Sequence, residues 1–151
     1  MEAITGEMLV AQARMWIGTP HHHAGRVCGV GVDCFGLVSG AVQSLGLAVP
    51  SDTTAYGRGD NLALLTQALS DFSDCLSDVA PHRLPGDIML FRGGRIVHHI
   101  AICTGDETMI HVSDTIGIVT EQALRPGWEK FLFRVYRLRS PELRSSELGS
   151  C

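Results

Sequence analysis

The chain has 151 residues, 45% of them hydrophobic and 19% charged, and a formal net charge of -4. That length supports one domain with a real core, the composition is that of an ordinary globular protein, and the acidic balance leaves no electrostatic footprint for nucleic acid. No apolar run approaches the roughly 18 residues a membrane-spanning helix needs, so no membrane insertion is expected.

The opening stretch MEAITGEMLVAQARMW carries acidic side chains and a helical period rather than a basic start and an unbroken apolar run. It predicts a chain made in a cytoplasm without a signal peptide. Between Thr5 and Ile17 the apolar residues Met8, Leu9, Ala11, Met15 and Trp16 recur at helical spacing, and Gly18-Thr19-Pro20 ends the pattern. Residues 21–33, HHHAGRVCGVGVD, are too rich in glycine for regular structure and read as a loop.

A second helix follows, with Asp33 as N-cap, Phe35, Val38, Ala41, Val42 and Leu45 on one face, and Gly46 as the stop. A polar loop through Pro50-Ser51-Asp52 leads to a third helical pattern at 62–69, starting at Asp60 or Asn61. Beyond Pro85-Gly86 the texture changes to short β runs at 87–92, 98–104, 108–113, 118–121 and 131–138. The prediction is therefore α+β, with N-terminal helices packed on an antiparallel five-stranded sheet. The globular unit spans 1–139, and the polar run 140–151 reads as a flexible tail.

Five cysteines, Cys28, Cys34, Cys75, Cys103 and Cys151, are an odd number without CxxC spacing, which suggests neither a disulfide framework nor a zinc ribbon. The ordinary role of each is that of a small buried hydrophobe. Cys34 alone is predicted at a helix N-terminus, where backbone N–H groups and the helix dipole favour a thiolate. Its pKa is accordingly expected to be depressed.

A base for that thiol is sought among the strand histidines. With Gly105-Asp106 at a hairpin turn, residues whose numbers add to about 210 face each other, and His99 and His111 form such a pair. Opposed side chains on one face are close enough for their rings to bond. One imidazole can then fix the tautomer of the other, giving a nucleophile, base and orienter of the triad type with no metal or other cofactor.

These residues also carry a resemblance. The stretch GTPHHHAGRVCGVGVDCFGLV resembles the NlpC-type signature of a Gly-Thr-Pro turn, a glycine-bearing loop and Asp-Cys-x-Gly-Leu-Val. LPGDIMLF and HHIAICTGDETMIHVSD are similar to its later strand motifs, so that the likeness runs from about Ile17 to Tyr136. It implies a papain-like fold and a Cys34-His99-His111 triad hydrolysing an amide in peptidoglycan stem peptides, often between γ-D-glutamate and a diamino acid. Within the family the stretch most resembles phage-encoded cell-wall peptidases, including tail-associated and gene-transfer-agent forms, which implies tail proteins as partners and action in the periplasm or cell wall.

The chain departs from the family pattern at two positions. His21 stands where many members place a tyrosine near the nucleophile, and its ring N–H is a candidate oxyanion donor. Phe35 stands where bacterial members carry a serine that, with the aspartate equivalent to Asp33, holds the substrate's free amine. Asp33 is thus either a substrate contact or only a helix cap.

Three other readings stay open. His21-His22-His23 with Cys28 offers zinc-ligand residue types, although the usual Cx2C or Hx3H spacing is absent. The fold could serve as a non-catalytic binding module of a tail. The same Cys-His chemistry could also run an amidase or acyltransferase.

Overall fold

The computed structural model describes residues 4–47, 62–77, 82–105 and 107–139. The expected tail, the loop at Pro50, the start of the third helix at Asp60 or Asn61 and the turn residue Asp106 lie outside them.

Helix α1 spans Gly6–Arg14 and is capped by Thr5, whose hydroxyl accepts from the Met8 N–H at 3.2 Å. Leu9, Val10 and Ala13, followed by Trp16, face inward, whereas Ala11 and Met15 turn to solvent. The glycine-rich segment holds a two-stranded ribbon, β1 (Arg26–Val27) with β2 (Gly31–Val32), where a loop was expected.

Helix α2 spans Cys34–Ser44 and buries Phe35, Gly36, Leu37, Val38, Ser39, Ala41 and Val42, so it lies inside the molecule rather than on it. Glycine makes that possible, because a Cβ at Gly40 would collide with the Trp16 indole. Helix α3 spans Leu62–Ser70.

Among the described residues six strands, not five, form the main sheet: β3 (Ser73–Ser77), β4 (Ile88–Gly93), β5 (Ile96–Cys103), β6 (Thr108–His111), β7 (Thr120–Ala123) and β8 (Leu132–Leu138). Their order is β3-β8-β4-β5-β6-β7, with every neighbour antiparallel. The unexpected β3 is an edge strand of Ser, Asp, Cys and Leu with little β propensity. Pairing with β8 and the Arg139–Asp74 ion pair at 3.0 Å hold it.

Both faces of the sheet are dry. Ile88, Leu90, Ile100, Ile102, Ile110 and Tyr136 meet α1 and α2 in the larger core. The alternate residues Met89, Phe91, Ala101, Cys103, Met109 and Val135 form a second cluster under Leu124, Trp128 and Leu132. The segment after β7, with its 3-10 turn Trp128–Phe131, thus acts as a cover where, among the described residues, no α-helix packs.

The entry to β4 is fixed twice. Buried Asp87 accepts from the Leu84 N–H at 2.8 Å and from Nε and Nη2 of Arg137, both at 2.9 Å, a bidentate pair that ties the turn to β8. Gly86, at φ +91°, lies so close to Gly6 that a Cβ there would collide with the α1 backbone. Gly86→Ala should therefore combine backbone strain with overpacking and cost at least about 2 kcal/mol. Gly94→Ala, at φ +61° in open space, should cost about 1 kcal/mol. Denaturant midpoints compare them, and equal losses would show that the Gly6–Gly86 approach carries no special weight.

Candidate active site

The short β5–β6 ladder opens the site. Its register pairs Ile102 with Ile110 and Cys103 with Met109, so partner numbers add to 212 rather than 210. His99 and His111 are therefore diagonal rather than directly opposed. A shift of two keeps every side chain on its face, so the rings still meet, with His99 Nε2 2.8 Å from His111 Nδ1 and centroids 5.0 Å apart.

Both histidines project from the face covered by the segment after β7. Trp128 lies over them, with its ring centroid 4.7 Å from His99 and 5.0 Å from His111, and Phe91 flanks His99 at 5.6 Å. His99 is 5% exposed and His111 fully buried. His111 has one further partner, Gln122 on β7, whose Oε1 lies 2.8 Å from its Nε2.

Cys34 arrives from the other layer, as the first residue of α2. Where the β5–β6 pairing stops, the backbone of Ile100 contacts the Cys34 sulfur, as do the backbone groups of Phe35 and Cys34 itself. Ile100 is the next residue after His99. The nucleophile candidate thus lies against the β5 backbone one residue along from His99.

Asp33 is occupied by its own loop. Its Oδ1 accepts from the Gly36 N–H at 2.7 Å and from Arg26 Nη1 at 2.8 Å, and its Oδ2 from the Ala24 N–H at 2.9 Å. It is a helix cap whose charge Arg26 balances, and the same bonds hold Ala24 at φ +61°. Phe35 is 7% exposed and packs in the helix-side core beneath the Arg26 guanidinium, 5.9 Å from its ring. The first turn of α2 aims its side chain inward, and its backbone lies at the Cys34 sulfur. His21 is partly exposed and bridges to Val32, two residues before Cys34, while His22 and His23 point to solvent.

The electrostatics differ from the expected activated thiolate. Burial, and then the Asp33 carboxylate, push the Cys34 thiol up to about 11, outweighing the favourable backbone groups of Ile100, Phe35 and Cys34. Burial, with the neighbouring His111 and His98, lowers His99 to about 3, and burial lowers His111 as well. At rest the site holds a neutral thiol and neutral imidazoles.

A family model described as NlpC/P60 family matches residues 18–137. The chain belongs to the NlpC/P60 family. A Mycobacterium tuberculosis protein named as a probable endopeptidase is 33% identical over 110 residues, covering 73% of this chain and 24% of the relative. A Bacillus cereus gamma-D-glutamyl-L-lysine dipeptidyl-peptidase is 29% identical over 106 residues, covering 68% and 27%. The chain thus spans about a quarter of the length of these curated relatives. The crystal structure of an NlpC/P60 family protein from Bacillus cereus superposes with a TM-score of 0.67 at 24% identity, covering 91% of this chain and 41% of that one. The fold is the papain-like α+β fold of the NlpC/P60 proteins, with the helix-borne cysteine set against the sheet.

Sequence reasoning missed Trp128 and Gln122. The fourth β run was expected at 118–121, but β7 spans Thr120–Ala123, so Gln122 fell outside the expected strand. Trp128 sits in the irregular stretch after Pro126-Gly127, where no periodicity assigns it a face.

Buried neutral histidines make this NlpC/P60 domain acid-sensitive. Below the ordinary imidazole pKa near 6.5 the unfolded chain takes up protons that the folded site refuses until about 3, so stability falls as pH falls through that window. Replacing His99 by Asn removes its share. Thermal melts from pH 7 to 4 should show a shallower loss for His99→Asn than for wild type; parallel curves would mean that His99 is not held neutral by the fold.

Proposed function

We propose that the chain is a cysteine peptidase that hydrolyses an amide within the peptidoglycan stem peptide, with Cys34 as nucleophile, His99 as base and His111 as orienter. The observation that carries this reading is the His99–His111 ring bond placed one residue along β5 from the peptide that touches the Cys34 sulfur. The names of the relatives, endopeptidase and γ-D-glutamyl-L-lysine dipeptidyl-peptidase, support the substrate class.

The neutral resting state dictates the order of events. A free thiolate is disfavoured by burial, so Cys34 gives its proton to His99 as its sulfur attacks the scissile carbonyl, not before. Charge then passes to the carbonyl oxygen. Backbone N–H groups at the start of α2 receive it, each such donor being worth about 3 kcal/mol in comparable sites. His99 returns the proton to the leaving amine, the C–N bond breaks and a Cys34 thioester remains. Water, deprotonated by His99, hydrolyses the thioester and frees the thiol.

The likeness of residues 18–38 to phage-encoded cell-wall peptidases supports a finer reading. The protein is placed by a phage-like tail and acts in the periplasm or cell wall. Detection of the chain in purified tails by mass spectrometry tests this, and its absence from them removes the reading.

The activity itself is tested by mass analysis of muropeptides after incubation with wild type and Cys34→Ala. Wild type should shorten the stems without freeing glycan from the whole peptide, and Cys34→Ala should abolish this. Cleavage at the muramic-acid amide would instead establish an amidase. No new fragments with either protein would favour a binding module.

A further inference from the structure

The hydrogen bonds around His111 have a direction. Gln122 presents its carbonyl Oε1 to His111 Nε2, and a carbonyl oxygen only accepts. A neutral imidazole carries one ring proton, so that proton sits on His111 Nε2 and leaves Nδ1 with a lone pair. His99 Nε2, 2.8 Å from that lone pair, must then be the donor. The single proton of His99 is thereby used, and its Nδ1 is left unprotonated.

We propose that Gln122 is a positioning residue that sets the tautomers of both histidines and so keeps His99 Nδ1 open as the base. The proposal rests on the reading of Cys34 and His99 as a peptidase pair, and it adds a fourth member at the far end of the line. The geometry is not a side-chain accident. In the β6–β7 register Gln122 faces Met109 and His111 faces Thr120, which puts Gln122 on the face of His111 and displaced by two. His99 is displaced by two in the opposite sense on β5. The three side chains therefore run in one diagonal across three adjacent strands.

The register of β7 is pinned separately. Glu121, the residue before Gln122, bonds Arg14 of α1 through Nε–Oε1 at 3.0 Å and Nη2–Oε2 at 3.1 Å. A slip of one residue would break this pair and present either the Glu121 carboxylate or the Ala123 methyl to His111. A carboxylate favours an imidazolium, whereas an amide oxygen orients the ring and leaves it neutral. The neutral amide matches the neutral state in which burial holds both rings.

The experiment reads tautomers and turnover separately. Long-range 1H–15N NMR on the inactive Cys34→Ala protein, with and without Gln122→Leu, reports which ring nitrogens carry protons. In parallel, kcat and KM on muropeptides are measured for Gln122→Leu and Gln122→Glu with Cys34 intact. The glutamine protein should show both histidines protonated at Nε2. Gln122→Leu should show mixed tautomers and a kcat lowered at least about tenfold with KM unchanged, less than the roughly 10⁴ of a fully wrong tautomer. Gln122→Glu, which still accepts, should keep the tautomers and most of kcat, and should move the acid limb of the pH profile to higher pH. Unchanged tautomers in Gln122→Leu, or an unchanged kcat, would overturn the proposal. If wild type releases no stem fragments, the peptidase reading fails while the NMR comparison still decides what Gln122 does to the rings.

Discussion

The hydrogen bond between His99 and His111 is the constraint around which the molecule is organised. It requires two polar rings from adjacent strands to meet in an apolar space, and a buried polar group without a partner is costly. The surroundings meet both requirements. Trp128 and Phe91 exclude water, Gln122 Oε1 lies 2.8 Å from His111 Nε2, and the segment after β7 covers a sheet face that no α-helix among the described residues reaches. The NlpC/P60 sheet thus has a structural core on one side and an aromatic box on the other. The premature end of the β5–β6 ladder lets the helix-borne thiol touch the same strand.

The balance at Cys34 shows which effect wins at the helix start. A helix N-terminus typically favours an anion by about 0.3 to 1 kcal/mol. A thiol raised from 9.0 to about 11 reflects a net cost of about 3 kcal/mol for ionising in place. Desolvation therefore exceeds the dipole, and the Asp33 carboxylate adds to it. That carboxylate is nonetheless needed, because it caps α2 at Gly36 and fixes Ala24 and Arg26 in the preceding loop. The same group that caps α2 thus adds to the burial that keeps the Cys34 thiol protonated, which is why the proposed chemistry moves the proton during attack.

Much of this was legible in the sequence, and the failures have physical reasons. His99 and His111 could be paired although the turn was placed so that the register came out two residues wrong, since strand side chains alternate with period two and an even error keeps the face. Cys34 stood out because Asp33 followed by an apolar period is a strong helix start. The thiol's pKa went the other way because burial by the sheet is a tertiary effect that a helix cap does not reveal. Strand β3 was invisible because its edge position needs backbone partners rather than a hydrophobic pattern. Gln122 was missed through a two-residue error in a strand boundary, and Trp128 because irregular segments carry no period from which a direction can be read.

The central claim is that the thiol and both imidazoles are neutral at rest, and the thiolate's ultraviolet absorbance tests it most directly. The difference spectrum between wild type and Cys34→Ser should contain no thiolate at pH 7, and the signal should grow only as pH climbs toward about 11. A full thiolate signal already present at pH 6 would mean that Cys34 and His99 form an ion pair before substrate arrives, and would contradict the account.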